Sequence, residues 1–143
     1  MKKILSILII LLITNSAFAI DYNHYFYAKG KKIMLEDAIS EKQKNQGLMG
    51  RNSLQADTGM VFFYTSYVET AFWMKHTYIP LDIIFLKDGK VTRIYRNVEP
   101  CTDEICKIYP SKGLVNQVIE LNAGSCQKYY IQKGSIIRVK ELE

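Results

Sequence analysis

From residue 24 onward the chain alternates short apolar runs of strand type with polar turns. Residues 24–28 and 33–39 flank the turn Lys29-Gly30-Lys31, which predicts a β-hairpin. Ser40 stands three residues before Gln43, the spacing of a capping box, and Gly47 supplies a stop, so a short helix is predicted between them. Residues 60–64 and 70–75 are strand-type runs. Pro80 cannot donate to a ladder and marks the start of the strand over 81–86. That strand returns through Asp88-Gly89, a strong hairpin turn, into 91–98. Residues 99–113 form a loop bearing two cysteines, and 114–121 is read as a strand in preference to a helix. A second short helix over 125–132 and a strand over 135–142 complete the chain. About seven or eight closely spaced strands with about two short helices, and no βαβ alternation, predict an α+β fold. The expected form is a compact, mostly antiparallel, barrel-like sheet in a single β-rich domain over residues 20–143, without repeats or linkers.

One block breaks the alternation. Between Thr70 and Phe85 the single Trp lies two residues from Lys75, and Asp82 is set inside an apolar run. A buried charge is costly without a partner or an opening to water. The strand period puts Leu81, Ile83 and Phe85 on one face, and Asp82, Ile84 and Leu86 on the other. Both faces are apolar, so this strand is predicted to be interior and covered on both sides. Asp82 then needs donors, and Arg51, Lys75 and backbone N–H groups are the candidates, with a cationic partner preferred. The same alternation puts Trp73 and Lys75 on one strand face, as a half-wet wall suited to sugar rings or peptide side chains. The bland alternatives are a structural ion pair at Asp82 and a core Trp under a snorkelling Lys stem.

Compartment follows from the first residues. Lys2 and Lys3 precede an apolar run and an Ala-x-Ala-like site at Ala17–Ala19, the layout of a secretory signal peptide over residues 1–19. The run is short for a membrane span, so no stable anchor is expected after cleavage, and the protein is placed in the periplasm or outside the cell. Loss of Lys2 and Lys3 would lower the formal net charge from +5 to +3. Such a balance does not argue for nucleic acid, though weak attraction to anionic surfaces or polymers fits it. Of the three cysteines, Cys101 and Cys106 frame a loop and are the expected disulfide in an oxidising compartment. Their spacing is not the redox Cys-x-x-Cys, and Cys126 is left over.

Recognised catalytic frames are missing. His76 has no Ser or Cys nucleophile in a familiar frame, and two histidines do not support a His-rich metal site. The sequence contains no phosphate-cradling Gly-rich loop, no His-Glu-x-x-His and no Gly-x-Ser-x-Gly. No catalytic residue, metal or cofactor is therefore assigned.

The motifs Gly47-Leu48-Met49-Gly50-Arg51, Gly59-Met60-Val61-Phe62 and Phe72-Trp73-Met74-Lys75-x-Thr77-x-Ile79-Pro80-Leu81-Asp82 occur in that order. Asp88-Gly89-Lys90-Val91, Pro100-Cys101 with Cys106 and Tyr109, and Glu120-Leu121-x-Ala123-Gly124 follow. This series resembles the domain of unknown function 192 family, over about residues 33–139. The resemblance implies a compact β-rich domain and no settled activity. It points to Arg51, Trp73, Lys75, Thr77, Asp82 and Tyr109 as candidate ligand-binding residues, and to Cys101 and Cys106 as the family's loop cysteines. The reading is an exported, non-enzymatic module that binds an envelope glycan, peptide or small molecule near Trp73, Lys75, Asp82 and Arg51. A structural or interaction protein with a fold-stabilising ion-pair network is the alternative. A hydrolase using Asp82 as general base is the third, and it needs a second acid or nucleophile within reach of Asp82.

Overall fold

A computed structural model describes residues 20–143; the leader expected over residues 1–19 lies outside them. Its main sheet has seven strands in the order β6-β5-β8-β3-β2-β1-β9, and β4 and β7 form a separate two-stranded sheet. The strands are β1 (His24–Ala28), β2 (Lys31–Ala38), β3 (Thr58–Val68), β4 (Ala71–Trp73), β5 (Leu81–Lys87), β6 (Lys90–Val98), β7 (Ile108–Pro110), β8 (Val115–Asn122) and β9 (Lys140–Glu141). The helices are α1 (Glu41–Gln46) and α2 (Ser125–Lys128).

The two predicted hairpins form, β1–β2 and β5–β6, both antiparallel. The capping box also forms. Gln43 N–H donates to Ser40 Oγ at 3.2 Å, and Ser40 N–H donates to Gln43 Oε1 at 2.9 Å. The barrel expectation is corrected. The sheet is open and mixed, because the chain leaves β2, passes through α1, and re-enters beside β2 as the parallel strand β3. That one crossover is the βα unit the sequence reading did not see. Closure is absent among the described residues: β6 and β9 stand at opposite edges of the sheet. The expected strand over 135–142 is ordered as β9 only at Lys140–Glu141, with a single bridge from Ile136 to Lys90. The helix expected over 125–132 ends at Lys128.

The sheet is covered on both faces, as predicted for β5, whose first six residues are all buried. One face packs Leu35, Val61, Ile84, Leu86, Ile119 and Leu121 against Cys126, Tyr129, Ile131 and Ile137. The other packs Phe62, Leu81, Ile83, Phe85 and Val118 against Leu48, Met74 and Ile79, with Phe72 and Tyr109 of the small sheet at its margin. The alternation read from 81–86 therefore assigns both faces correctly. Gly59 shows how tightly the middle is built. A Cβ there would lie 2.4 Å from the Glu120 carbonyl oxygen and 2.5 Å from Leu121 Cδ2, so only glycine lets β3 lie against β8.

Candidate ligand-binding cleft

Of the candidate set, Arg51 is the furthest from expectation. Its guanidinium grips Glu36 of β2 with two parallel bonds, Nη1 to Oε1 and Nη2 to Oε2, each 2.5 Å. This fork raises the Arg51 pKa, chiefly through the hydrogen bond to Glu36. It ties the turn after α1 to the main sheet, so a structural ion pair does exist, with Glu36 and not Asp82 as its acid.

Asp82 lies on the opposite face from Ile83 and is 0 % exposed. Its partner is not a cation, which corrects the expected pairing with Arg51 or Lys75. Oδ1 accepts from the Asn97 backbone N–H at 2.8 Å and Oδ2 from the Cys126 N–H at 2.7 Å. Asp82 thus pins the end of β6 and the start of α2 to the sheet. It adjoins a hollow of about 160 Å³ with Arg96, Asn97, Gly124 and Gln127, and no second carboxylate or nucleophile lines that hollow. The arrangement that a hydrolase based on Asp82 requires is therefore not assembled. Burial and neighbouring Asp82 push the Cys126 thiol well above its ordinary range, so Cys126 is a buried inert thiol.

Trp73 and Thr77 do share a site. A cleft of about 480 Å³ runs between the C-terminal end of α1 and strand β4. Lys44, Gly47 and Met49 form one wall, and Thr70, Phe72, Trp73 and Thr77 the other. Phe62 and Tyr64 of β3 and Glu120 of β8 also line it. Trp73 is 47 % exposed, so it is not a core tryptophan. Lys44 Nζ pairs with Glu41 at 2.7 Å and lies 4.8 Å from the Tyr64 ring centroid. Tyr64 Oη and Thr70 Oγ1 are 3.3 Å apart. Lys75 Nζ lies 5.6 Å from the Trp73 ring centroid, outside the cleft lining. Tyr109 pairs with Phe72 across β4–β7 and packs edge-on against Tyr95 at 5.2 Å, as a support behind the wall. Cys101 and Cys106 form the expected disulfide, in the loop that leads to β7.

The residue that sequence reasoning passed over is Glu120. It is 5 % exposed, and its neighbours across the ladder are Met60 and Ile83, both apolar. Among the described residues no donor or cation meets its carboxyl group; the Arg51 and Lys44 charges are engaged by Glu36 and Glu41. Desolvation raises its pKa from 4.5 to about 8, so it is mostly protonated at neutral pH. Its small remaining exposure belongs to the cleft. Gly47 keeps the approach open. With φ at +47° it holds a conformation that favours glycine, and a Cβ there would point at Glu120 Oε2 from 3.8 Å. The signal was present in the sequence: Glu120 interrupts Val118-Ile119-Glu120-Leu121 as Asp82 interrupts its own run.

A cleft with an exposed indole at its side, three more aromatics and an unpartnered acid offers stacking and hydrogen bonding together. Among the described residues no group of three or more His, Cys, Asp and Glu converges to hold a metal. No helix among them is long and apolar enough to cross a membrane.

The model of one protein family, DUF192, described as "Uncharacterized ACR, COG1430", matches residues 25–139. The chain belongs to the DUF192 family. Two solved structures resemble it closely. A "putative transcription regulator" of Sinorhizobium meliloti 1021 superposes with a TM-score of 0.72 at 31% identity, over 84% of this chain and 92% of that one. A protein of unknown function from Novosphingobium aromaticivorans DSM 12444 gives 0.70 at 29% identity, over 82% and 83%. No curated protein matches the chain. The DUF192 assignment agrees with the motif series, and it brings no reaction with it.

Proposed function

We propose that this DUF192 protein is an exported envelope module whose α1–β4 cleft binds a small polar ligand, a glycan unit or a peptide segment, without catalysing a reaction. The observation that carries the reading is the unpartnered carboxyl group of Glu120 in a cleft flanked by the exposed Trp73 ring. A buried carboxylic acid lacking a protein partner is an expensive thing to keep unless something else uses it. In its protonated state Glu120 donates to a carbonyl or hydroxyl oxygen of the ligand, while Trp73 and Phe72 cover the ligand's apolar face. Lys44 and Thr77 offer further donors. Asp82 and Arg51 support the fold instead of touching the ligand.

The test is calorimetry and thermal shift against panels of neutral oligosaccharides and short peptides. A true ligand at about a hundred times its dissociation constant adds ~2.7 kcal/mol to stability. Trp73→Ala and Glu120→Ala are each expected to weaken that ligand by about tenfold or more, since each removes about 1–2 kcal/mol of stacking or hydrogen bonding. A ligand whose affinity is the same for Trp73→Ala as for the parent removes the cleft as the binding site.

A further inference from the structure

A second surface, separate from the cleft, carries a different chemistry. Two adjoining hollows of about 540 and 270 Å³ lie along β6 and share Thr92, Arg93 and Lys133. Lys90, Arg93, Lys112 and Lys133 line the first, and Arg93, Arg96 and Lys133 the second. No carboxylate lines either one. None of these five cations is among the ion pairs of the described residues. Five like charges gathered about one strand edge, three from β6 and two from the loops beside it, repel one another with no carboxylate among them to offset the repulsion. The two arginines are also held in place. Arg93 Nε donates to the Ser111 carbonyl at 3.2 Å and Arg96 Nη2 to the Ile131 carbonyl at 2.7 Å. Each guanidinium has five N–H donors, so most remain available.

The backbone adds to this. β6 is an edge strand, and its outer side is met by the chain only near its start. There the Val91 N–H donates to the Ser135 carbonyl, the Gly134 N–H donates to the Val91 carbonyl, and Lys90 bridges Ile136. Beyond Val91 the edge has no strand partner among the described residues. From Lys90 to Arg96 the strand spans roughly 20 Å at ~3.4 Å per residue. Arg93 reaches Ser111 and Arg96 reaches Ile131, so the cations flank this open edge from either side.

We infer that the β6 groove binds a linear polyanionic glycan, a polysaccharide bearing repeated carboxylate or sulfate groups, through Lys90, Arg93, Arg96, Lys112 and Lys133. A nucleic acid fits the lining less well. No aromatic side chain lines either hollow, so bases have nothing to stack on. The two helices among the described residues are six and four residues long and neither contributes to the groove wall, so these residues offer no recognition helix to a duplex.

Fluorescence anisotropy tests this with labelled polygalacturonate, dextran sulfate and a charge-matched oligodeoxynucleotide. Five contacts on a flexible polyanion predict an affinity that falls on the order of a hundredfold between about 50 and about 200 mM salt. The triple variant Lys90→Gln/Lys112→Gln/Lys133→Gln spares both anchored arginines and removes no side-chain hydrogen bond described for the fold. It is expected to bind the acidic glycans about tenfold more weakly. The control Lys42→Gln/Lys107→Gln/Lys140→Gln loses the same charge elsewhere and is expected to change affinity less than about twofold. Trp73→Ala is expected to leave polyanion binding intact, which separates this site from the cleft. Equal weakening by the two triple variants would show a net-charge effect and overturn the inference. So would tighter binding of the oligodeoxynucleotide than of either glycan, or binding of none of the three polymers.

Discussion

Asp82 and Glu120 are buried carboxyl groups on adjacent strands, one residue out of step across the β5–β8 ladder and on opposite faces of the sheet. Each sits among apolar neighbours, yet their circumstances differ. Asp82 accepts two backbone N–H groups and closes its side of the fold. Glu120 accepts none and adjoins a cleft. A charged residue in an apolar run therefore does not announce a site by itself. Satisfaction decides: an acid each of whose oxygens accepts a backbone N–H is holding the chain together, and one left open is available to a ligand.

The largest expected effect is the titration of Glu120. Glu120 has its pKa raised from 4.5 to about 8, so the folded state holds this proton more tightly than the unfolded chain does. Its stabilising effect is fully present below about pH 4.5, declines as pH rises, and is gone above about pH 8, a total on the order of 5 kcal/mol. Denaturant unfolding of the parent and Glu120→Gln from pH 5 to pH 9 should give curves that diverge, with the variant the flatter. Parallel curves would mean that water in the cleft already solvates Glu120 and that the contrast between the acids is false.

Asp82→Asn should cost about 2–4 kcal/mol, because one buried N–H then faces an amide NH₂ instead of an oxygen. Ligand affinity of the folded fraction should not move. An Asp82→Asn protein that melts like its parent but no longer binds would transfer the site to the other face of the sheet.

A smaller effect is expected at Arg51. Removing it leaves Glu36 without its counter-ion, and Arg51→Met should cost about 1–3 kcal/mol, since the pair is only partly buried. The double variant Arg51→Met/Glu36→Gln should recover part of that loss, and a double-mutant cycle reads the coupling directly. Cleft binding that collapses while stability stays at the parental level would return Arg51 to the ligand site.

Most of the sheet could be read from short apolar runs and the turn signals between them. The β1–β2 and β5–β6 hairpins and the α1 capping box rest on local chemistry, where sequence neighbours are also spatial neighbours. The parallel β2–β3 pair was not legible, because α1 is only six residues long and its crossover is mostly turn and loop. Strand β7 was hidden in the cysteine loop, since Ile108–Pro110 is too short to show alternation. At the cleft, Trp73 was expected to share a wall with Lys75; Trp73 and Thr77 line it and Lys75 does not. Arg51 and Asp82 were drawn together by charge, but period two already set Asp82 on the face away from Ile83, and the sheet keeps them apart. Glu120 escaped notice because residues 114–121 were ambiguous between strand and helix, so the interruption of an apolar run carried less weight there than at Asp82.

Strand β8 lies between β5 and β3 in the middle of the sheet, and it is drawn from residues 115–122 of a 143-residue chain. A polypeptide made from its N-terminus therefore lacks its central plank until after both of the strands that flank it have been made. Until then β3 and β5 have no common neighbour, and Glu120 has not yet joined the cleft. Pairings this distant along the chain close late, after a substantial loss of chain entropy. The nascent protein is thus slow to commit, and it stays an open thread until β8 has been made.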